Sequence, residues 1–406
     1  MVKSVKFDYG IFNRNESNNM KEKKMLDFTS FYSVPATFPA EDITPCTEGV
    51  KPVFLAGPQY KGKETRIFAW YSLPEGASKE NKVPGIVLLH GGGGTSFSYW
   101  AKMWNDRGFA AVVPDIFGGF PGKKSADGKL EVAVESHEFS GPLHKDWYKQ
   151  ADEAVEDQWG YHAIASTVIA HSFLRSMEEV DSDRTGITGI SWGGFTTALT
   201  IPFDSRFKFA MPVYGCGGIL NDLKLVPGDA SSKQIKKWAS LWDPQNYLSR
   251  AKMPVLWLNG SHDASFDVMN WNKTASLAMK SYRSLRVDFP HGQYPGSEAP
   301  ELLPFAKSVL EERQYPVFSK VKQDEEGERL GAKLNAPVKI TKAKLIATRA
   351  NPCWNDCLFR EYPARVNLEN GSIVGDLPDG WTAAYLMIED GTGSVYSSEV
   401  VFSGEE

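Results

Sequence analysis

Cysteine is scarce, with Cys46, Cys216, Cys353 and Cys357 the only four in 406 residues. Scattered thiols make no disulfide framework, so they read as reduced and the fold must rest on a packed core. Cys353 and Cys357 have the spacing of half a metal site, but no Cys or His pair follows them, so no metal is expected there. Long apolar runs are missing too. None reaches the ~18 residues of a membrane helix. The opening MVKSVKFDYGIFNRNESNNMKEKK lacks the apolar core of a secretory signal, so a cytoplasmic protein with no membrane partner is expected. Met20 and Met25 offer internal starts, which would make the first twenty or so residues a loosely attached leader. Positive charge is not in excess. Lys plus Arg number 45 against 50 Asp plus Glu, a net charge of −5, which excludes nucleic acid as an expected partner. Repeats and low-complexity tracts are absent.

What is present is an ordinary globular composition, 42% hydrophobic and 23% charged. A chain of 406 residues exceeds the usual single core, so a large catalytic-sized domain with a smaller one is expected. Residues 1–50 are polar and then proline-punctuated, and read as an extended arm. Strands are predicted over 52–56, 65–71, 85–89, 109–113, 184–190, 207–213, 253–259 and 284–289. Helices are predicted from Phe97 to a stop at Gly108, and over 160–178, 193–200, 267–280 and 298–313. Continuous apolar strands alternating with helices predict an α/β domain over 51–314, a mainly parallel sheet covered on both faces. Two long interruptions, 117–159 and 215–250, read as lids or pocket walls. Beyond residue 315 the helical period vanishes. Runs at 337–347, 358–366, 381–387 and 395–402, separated by NG, DG and GTG turns, predict a small all-β sandwich over 315–406.

The chemistry gathers around GITGISWGG, where Ser191 occupies a G-x-S-x-G frame between a strand and a helix. Such an elbow strains the serine backbone and lifts its Oγ above the sheet. A serine hydroxyl needs a base, and only seven histidines exist. His291, in the turn FPHGQYP just past a strand, fits the order Ser, acid, His. Asp263, in LNGSHDASF after the strand 253–259, is the orienting acid, while the runner-up Asp267 reads as a helix N-cap. His90 to Gly94, HGGGG, follows a buried strand and can aim N–H groups of Gly91 and Gly92 at an oxyanion, with Trp192 N–H as the second donor. Other polar residues have plainer readings. Asp115 ties down a loop, His90 bonds to backbone, Cys216 has no claim as nucleophile beside Ser191, and His162 and His171 belong to a packed helix.

HGGGGTSFSYWAKMWNDRGFAAVVPD, DRTGITGISWGG, NGSHD and PHGQ together resemble the α/β-hydrolase superfamily over residues 52–314. The resemblance is to its acetyl xylan esterase-like branch, related to prolyl-oligopeptidase-type hydrolases. FKFAMPVYGCGG, WDPQNYL and the C-terminal VYSSEVVF are similar to acetyl xylan esterase-like or dienelactone-hydrolase-like proteins. This likeness implies the same triad, Ser191, His291 and Asp263, with no cofactor. Related peptidases usually carry tyrosine or glutamine after the serine, where this chain has Trp192, and no propeller precedes the domain. The expectation is therefore a serine esterase for short-chain esters of carbohydrates, such as acetylated xylan or oligosaccharides. A prolyl-oligopeptidase-type peptidase and a catalytically silent carbohydrate-binding homologue are the rivals. Twelve tryptophans suggest flat faces for sugar rings, and Trp147, Trp159, Trp238 and Trp242 are the expected substrate-binding residues, with Trp271 beside them.

Overall fold

The protein is represented by a computed structural model that describes residues 26–134, 136–220, 231–350 and 358–404. The Cys353 and Cys357 spacing lies outside the described residues.

Eight strands form the main sheet: β1 (Lys51–Ala56), β2 (Arg66–Ser72), β3 (Val83–Leu89), β4 (Ala110–Pro114), β5 (Val180–Ile190), β6 (Phe209–Val213), β7 (Val255–Gly260) and β8 (Ser281–Arg286). They are ordered β1-β2-β4-β3-β5-β6-β7-β8, with only β2 antiparallel to its neighbours. The short strand Thr37–Phe38 lays the N-terminal arm along β1. Residues of β4, β6 and β7 are buried without alternation. A strand buried at every position has both faces covered, as its β-branched and aliphatic sequence requires. Helices α1 (Ser98–Asp106), α2 (Trp159–Ser176), α3 (Trp192–Thr200), α4 (Ser232–Trp242), α5 (Val268–Ala275), α6 (Gln293–Ser297) and α7 (Leu302–Leu310) supply the cover. This is the mainly parallel, helix-covered α/β architecture anticipated from the pattern.

Local boundaries differ where side-chain chemistry is mixed. The helix expected over 267–280 ends at Ala275. The last strand starts earlier, at Ser281, because its register is set by β7, with Val255 opposite Ser281 and Gly260 opposite Arg286. The helix expected over 298–313 is preceded by the separate turn-and-a-half of α6, with Pro300 between α6 and α7.

The C-terminal strands are β9 (Arg329–Asn335), β10 (Ile340–Thr348), β11 (Arg360–Asn367), β12 (Ser372–Asp376), β13 (Ala383–Asp390) and β14 (Val395–Ser397), all paired antiparallel. β11 pairs with both β10 and β12 and so joins two ladders. β9 and β12 had no counterpart in the sequence reading. Each is interrupted by glycine and charge, and β9 buries only its alternate residues Leu330, Ala332 and Leu334. β14 also pairs with β8 through Ser397 opposite Arg283, so the C-terminal ladder continues the main sheet at its far edge.

Candidate active site

The parallel strands β3, β5, β6, β7 and β8 deliver their following residues to one end of the sheet. Open α/β sheets place ligands beyond the carboxyl ends of their strands. After β5 the chain turns into α3 within one residue, and Ser191 takes φ 58° and ψ −117°. That left-handed backbone is disfavoured for a side-chain-bearing residue and marks a functional elbow. It is held by the Ser191 N–H donating to the Val213 carbonyl at 2.9 Å, so the end of β6 fixes the turn. Gly189 and Gly193 are required by crowding: a Cβ on the first would overlap the Gly193 carbonyl, and on the second the carbonyls of Leu89 and His90.

Ser191 Oγ lies 2.8 Å from His291 Nε2, and His291 Nδ1 lies 2.7 Å from Asp263 Oδ2. The carboxylate accepts the Nδ1 proton, which leaves Nε2 as acceptor for the serine hydroxyl. The other oxygen of buried Asp263 accepts the N–H groups of Ser265 and Phe266 at 2.7 and 2.8 Å. Three donors therefore hold the carboxylate in one orientation. Asp267 faces away from this relay and caps α5, accepting the Asn270 N–H at 2.8 Å.

The loop after β3 lies against the elbow. A Cβ on Gly92 would come within 2.6 Å of Trp192 Cδ1, and one on Gly91 within 3.3 Å of Ser191 Cβ. Trp192 opens α3, so its N–H is one of the orphan donors of a helix's first turn. Buried His90 accepts the Ile116 N–H at Nε2, 3.2 Å, and its Nδ1 sits 3.1 Å from the Gly91 carbonyl. Asp115 accepts the N–H groups of Phe117 and Gly119, both at 2.9 Å, and the Thr95 hydroxyl at 3.1 Å. Burial alone would raise this carboxyl, but His90 and the two N–H donors hold it below the usual carboxylate range. Both residues thus brace the glycine loop and stand apart from the relay.

A cleft of about 270 Å³ opens over Ser191, lined by the Gly91 to Gly94 loop, Phe97, Ile190, His291 and Gln293. Among the described residues no acidic or permanently cationic side chain lines it. The tryptophans expected there are elsewhere. Trp147 is 3% exposed, and Trp159, Trp238, Trp242 and Trp271 are fully buried. Trp147 packs on Trp238 at 4.2 Å and on Trp192 at 5.9 Å, and Trp159 lies 5.8 Å from Trp192. Buried rings cannot wall the cleft, so that expected role is corrected: Trp147, Trp159 and Trp238 form an aromatic core behind Trp192, and Trp242, its Nε1 donating to Gln158 Oε1 at 2.7 Å, and Trp271 are buried elsewhere. The rings carried by the described parts of the long interruptions are buried, and large rings gain more from full burial than from an open wall. Phe97 and Gln293, which do line the cleft, went unnoticed because nothing but their adjacency to HGGGG and PHGQ signals them.

Cys216 is buried and off the cleft lining. His171 bonds to Asp204 at 2.7 Å and Thr185 at 2.8 Å and stacks on Phe207. Among the described residues no group of three His, Cys, Asp or Glu side chains could hold a metal, and no helix is long and apolar enough to cross a membrane.

Strand order, elbow and loops define an α/β-hydrolase fold. The Dienelactone hydrolase family model matches residues 71–296, more than half of the chain, and the chain belongs to that family of hydrolases. A curated relative, the probable dipeptidyl-peptidase 5 of Aspergillus flavus, is 24% identical over 216 residues, 51% of this chain and 26% of that protein. The dipeptidyl-peptidase 5 of Porphyromonas gingivalis is 24% identical over 219 residues, 48% of this chain and 28% of that protein. The matched part thus spans only about a quarter of these relatives. The acetyl xylan esterase of Paenibacillus sp. R4 superposes with a TM-score of 0.54 at 19% identity, covering 70% of this chain and 92% of that one. Acetyl Xylan Esterase 1 of Thermoanaerobacterium sp. gives 0.51 at 18% identity, covering 70% and 93%. At such identities the likeness is one of fold.

Proposed function

We propose that the chain is a serine esterase that removes short acyl groups, acetyl above all, from carbohydrate alcohols in the cytoplasm. The observation that carries this reading is the relay Ser191–His291–Asp263, 2.8 and 2.7 Å, opening on a small uncharged cleft. Ser191 Oγ attacks the ester carbonyl carbon while its proton passes to His291 Nε2. The carbonyl oxygen becomes an oxyanion, met by the N–H of Trp192 and those of Gly91 and Gly92. Asp263 holds the imidazolium through Nδ1. Collapse breaks the bond to the alcohol oxygen, which takes the proton from Nε2, and water then repeats the sequence on the acyl-enzyme. A cleft of about 270 Å³ suits a short acyl group. Activity on p-nitrophenyl esters is expected to fall steeply from C2 to C8, and a maximum at C8 or longer would refute the short-acyl reading.

A peptidase is the second reading, motivated by the names of the curated relatives. Binding a free peptide amino terminus calls for a carboxylate, and none lines the cleft among the described residues. Rates on p-nitrophenyl acetate against aminoacyl anilides separate the two readings. Fluorophosphonate labelling of Ser191 excludes a silent homologue.

A further inference from the structure

The base sits on a weakly tied loop. His291 follows β8 in the segment 287–292, from which, among the described residues, no N–H donates to a backbone carbonyl outside the regular elements, and its side chain is 26% exposed. A base must hold its nitrogen within hydrogen-bond reach of the serine through a whole cycle, and misplacement by ~1 Å can cost about a hundredfold in rate. Something outside the loop has to restrain it.

Fully buried Tyr214 is the residue immediately after β6, and its backbone is left-handed at φ 63°. A tyrosine held there is strained, and such strain persists only where surrounding contacts enforce it. Its N–H donates to the Leu258 carbonyl at 2.7 Å, which seats it between β6 and β7. Its hydroxyl donates to the Pro290 carbonyl at 2.8 Å and reaches the Gly292 carbonyl at 3.4 Å. These are the residues on either side of His291. The ring lies 4.4 Å from the imidazole, tilted by 31°, and stacks on Phe289 at 5.3 Å. The preceding residue, Val213, gives its carbonyl to the Ser191 N–H. One strand end therefore contacts both the nucleophile's backbone and the loop of the base.

We propose that Tyr214 is a positioning residue that locks His291 onto Ser191, its phenol clamping the two carbonyls that flank the histidine and its ring backing the imidazole. The assignment rests on the Ser191–His291–Asp263 reading and goes beyond it by explaining how a loop tied by few backbone bonds of its own holds a base in register. Burial raises the phenol's pKa above its ordinary value, so the clamp stays a donor across the working pH range.

The test compares the full chain with Tyr214→Phe, Tyr214→Leu and Ser191→Ala on p-nitrophenyl acetate. Tyr214→Phe, which keeps the ring and loses the clamp, is expected to lower kcat about tenfold with KM within about twofold. Tyr214→Leu loses both and is expected to lower kcat about a hundredfold. The acid limb of the kcat/KM profile should also move, because a displaced imidazole no longer meets the same carboxylate. A purely structural role would reduce the amount of folded enzyme and leave that limb in place. Wild-type kcat and an unmoved profile in Tyr214→Phe overturn the assignment, and this variant decides alone if Tyr214→Leu does not fold. Full activity in Ser191→Ala would instead sink the relay itself, so the two failures are distinguishable.

Discussion

The elbow of the main sheet and the last long turn of the C-terminal ladder use glycine in opposite ways. Gly193, in the elbow, has backbone carbonyls where a side chain would go, while Gly391, in the turn after β13, has nothing within 4 Å of the place its Cβ would occupy. Polar groups follow the same division. Buried Asp263 and Asp115 are held by backbone N–H donors beside the main sheet, whereas the Arg365–Asp376 pair on the ladder is exposed, at 2.8 and 3.0 Å. Position in the first region is fixed by close backbone approach, and in the second by alternation of buried and exposed side chains. Tolerance to substitution should divide along the same line.

The sharpest break is at the proposed nucleophile. Ser191→Ala is expected to lose about 10⁴-fold or more in kcat while the thermal midpoint stays unchanged, measured by ester hydrolysis and calorimetry. Next comes Gly193→Ala, whose new methyl meets the Leu89 and His90 carbonyls. Backbone cannot rotate out of the way as a side chain can, so a loss on the order of 3 kcal/mol in urea unfolding is expected, with activity lost too. A Gly193→Ala enzyme with wild-type stability would dissolve the contrast.

A third, smaller effect concerns desolvated histidines of the first region. His144 stacks on Phe117 at 4.0 Å, and burial, with help from His90, pushes it down to about 3. Its unfolded value is about 6.5. Between those values the unfolded chain holds a proton that the folded chain does not, so stability is full above pH 6.5 and declines as pH falls. At pH 5 the loss is about 2 kcal/mol. His144→Phe keeps the stack and removes the titration, so its unfolding free energy should change less between pH 8 and pH 5 than the wild type's. Equal slopes would count against this account. Buried His162, pushed down to about 4, acts in the same direction and keeps its own share in that variant.

The smallest effects belong to the ladder. Gly391→Ala is expected to be neutral or to stabilise by less than ~1 kcal/mol, through a less flexible unfolded chain. Arg365→Ala should leave the midpoint within about 1 °C, because exposed ion pairs contribute little. A large loss from either would show that the ladder is as tightly specified as the sheet.

Legibility in the sequence followed the same division. Strands buried on both faces announce themselves as apolar runs, so β3, β4, β6 and β7 were readable, while β5 was read only over its buried end, and the glycine-flanked Ser191 with His291 and Asp263 in order could be assembled by position. β9 and β12 were not, since half-exposed strands carrying glycine and charge look like loops. The tryptophans misled because a ring in a long connecting segment reads the same whether it lines a cleft or fills the space behind it. Tyr214 left no trace: its role comes from a backbone angle and a hydroxyl reaching across to residues 290 and 292.

The pairing of β14 with β8 also bears on the order in which the chain acquires its structure. The Leu285 N–H donates to the Ser397 hydroxyl at 3.0 Å across 112 positions. During synthesis the strand that precedes the His291 loop must therefore wait, its outer row of donors and acceptors open, until residues 395–397 have emerged. Contacts of such long sequence separation form late, and an unpaired strand edge is where nascent chains stick to one another. Protein made with its C-terminal strands delayed or damaged is thus expected to be lost to aggregation before it is ever tested for catalysis.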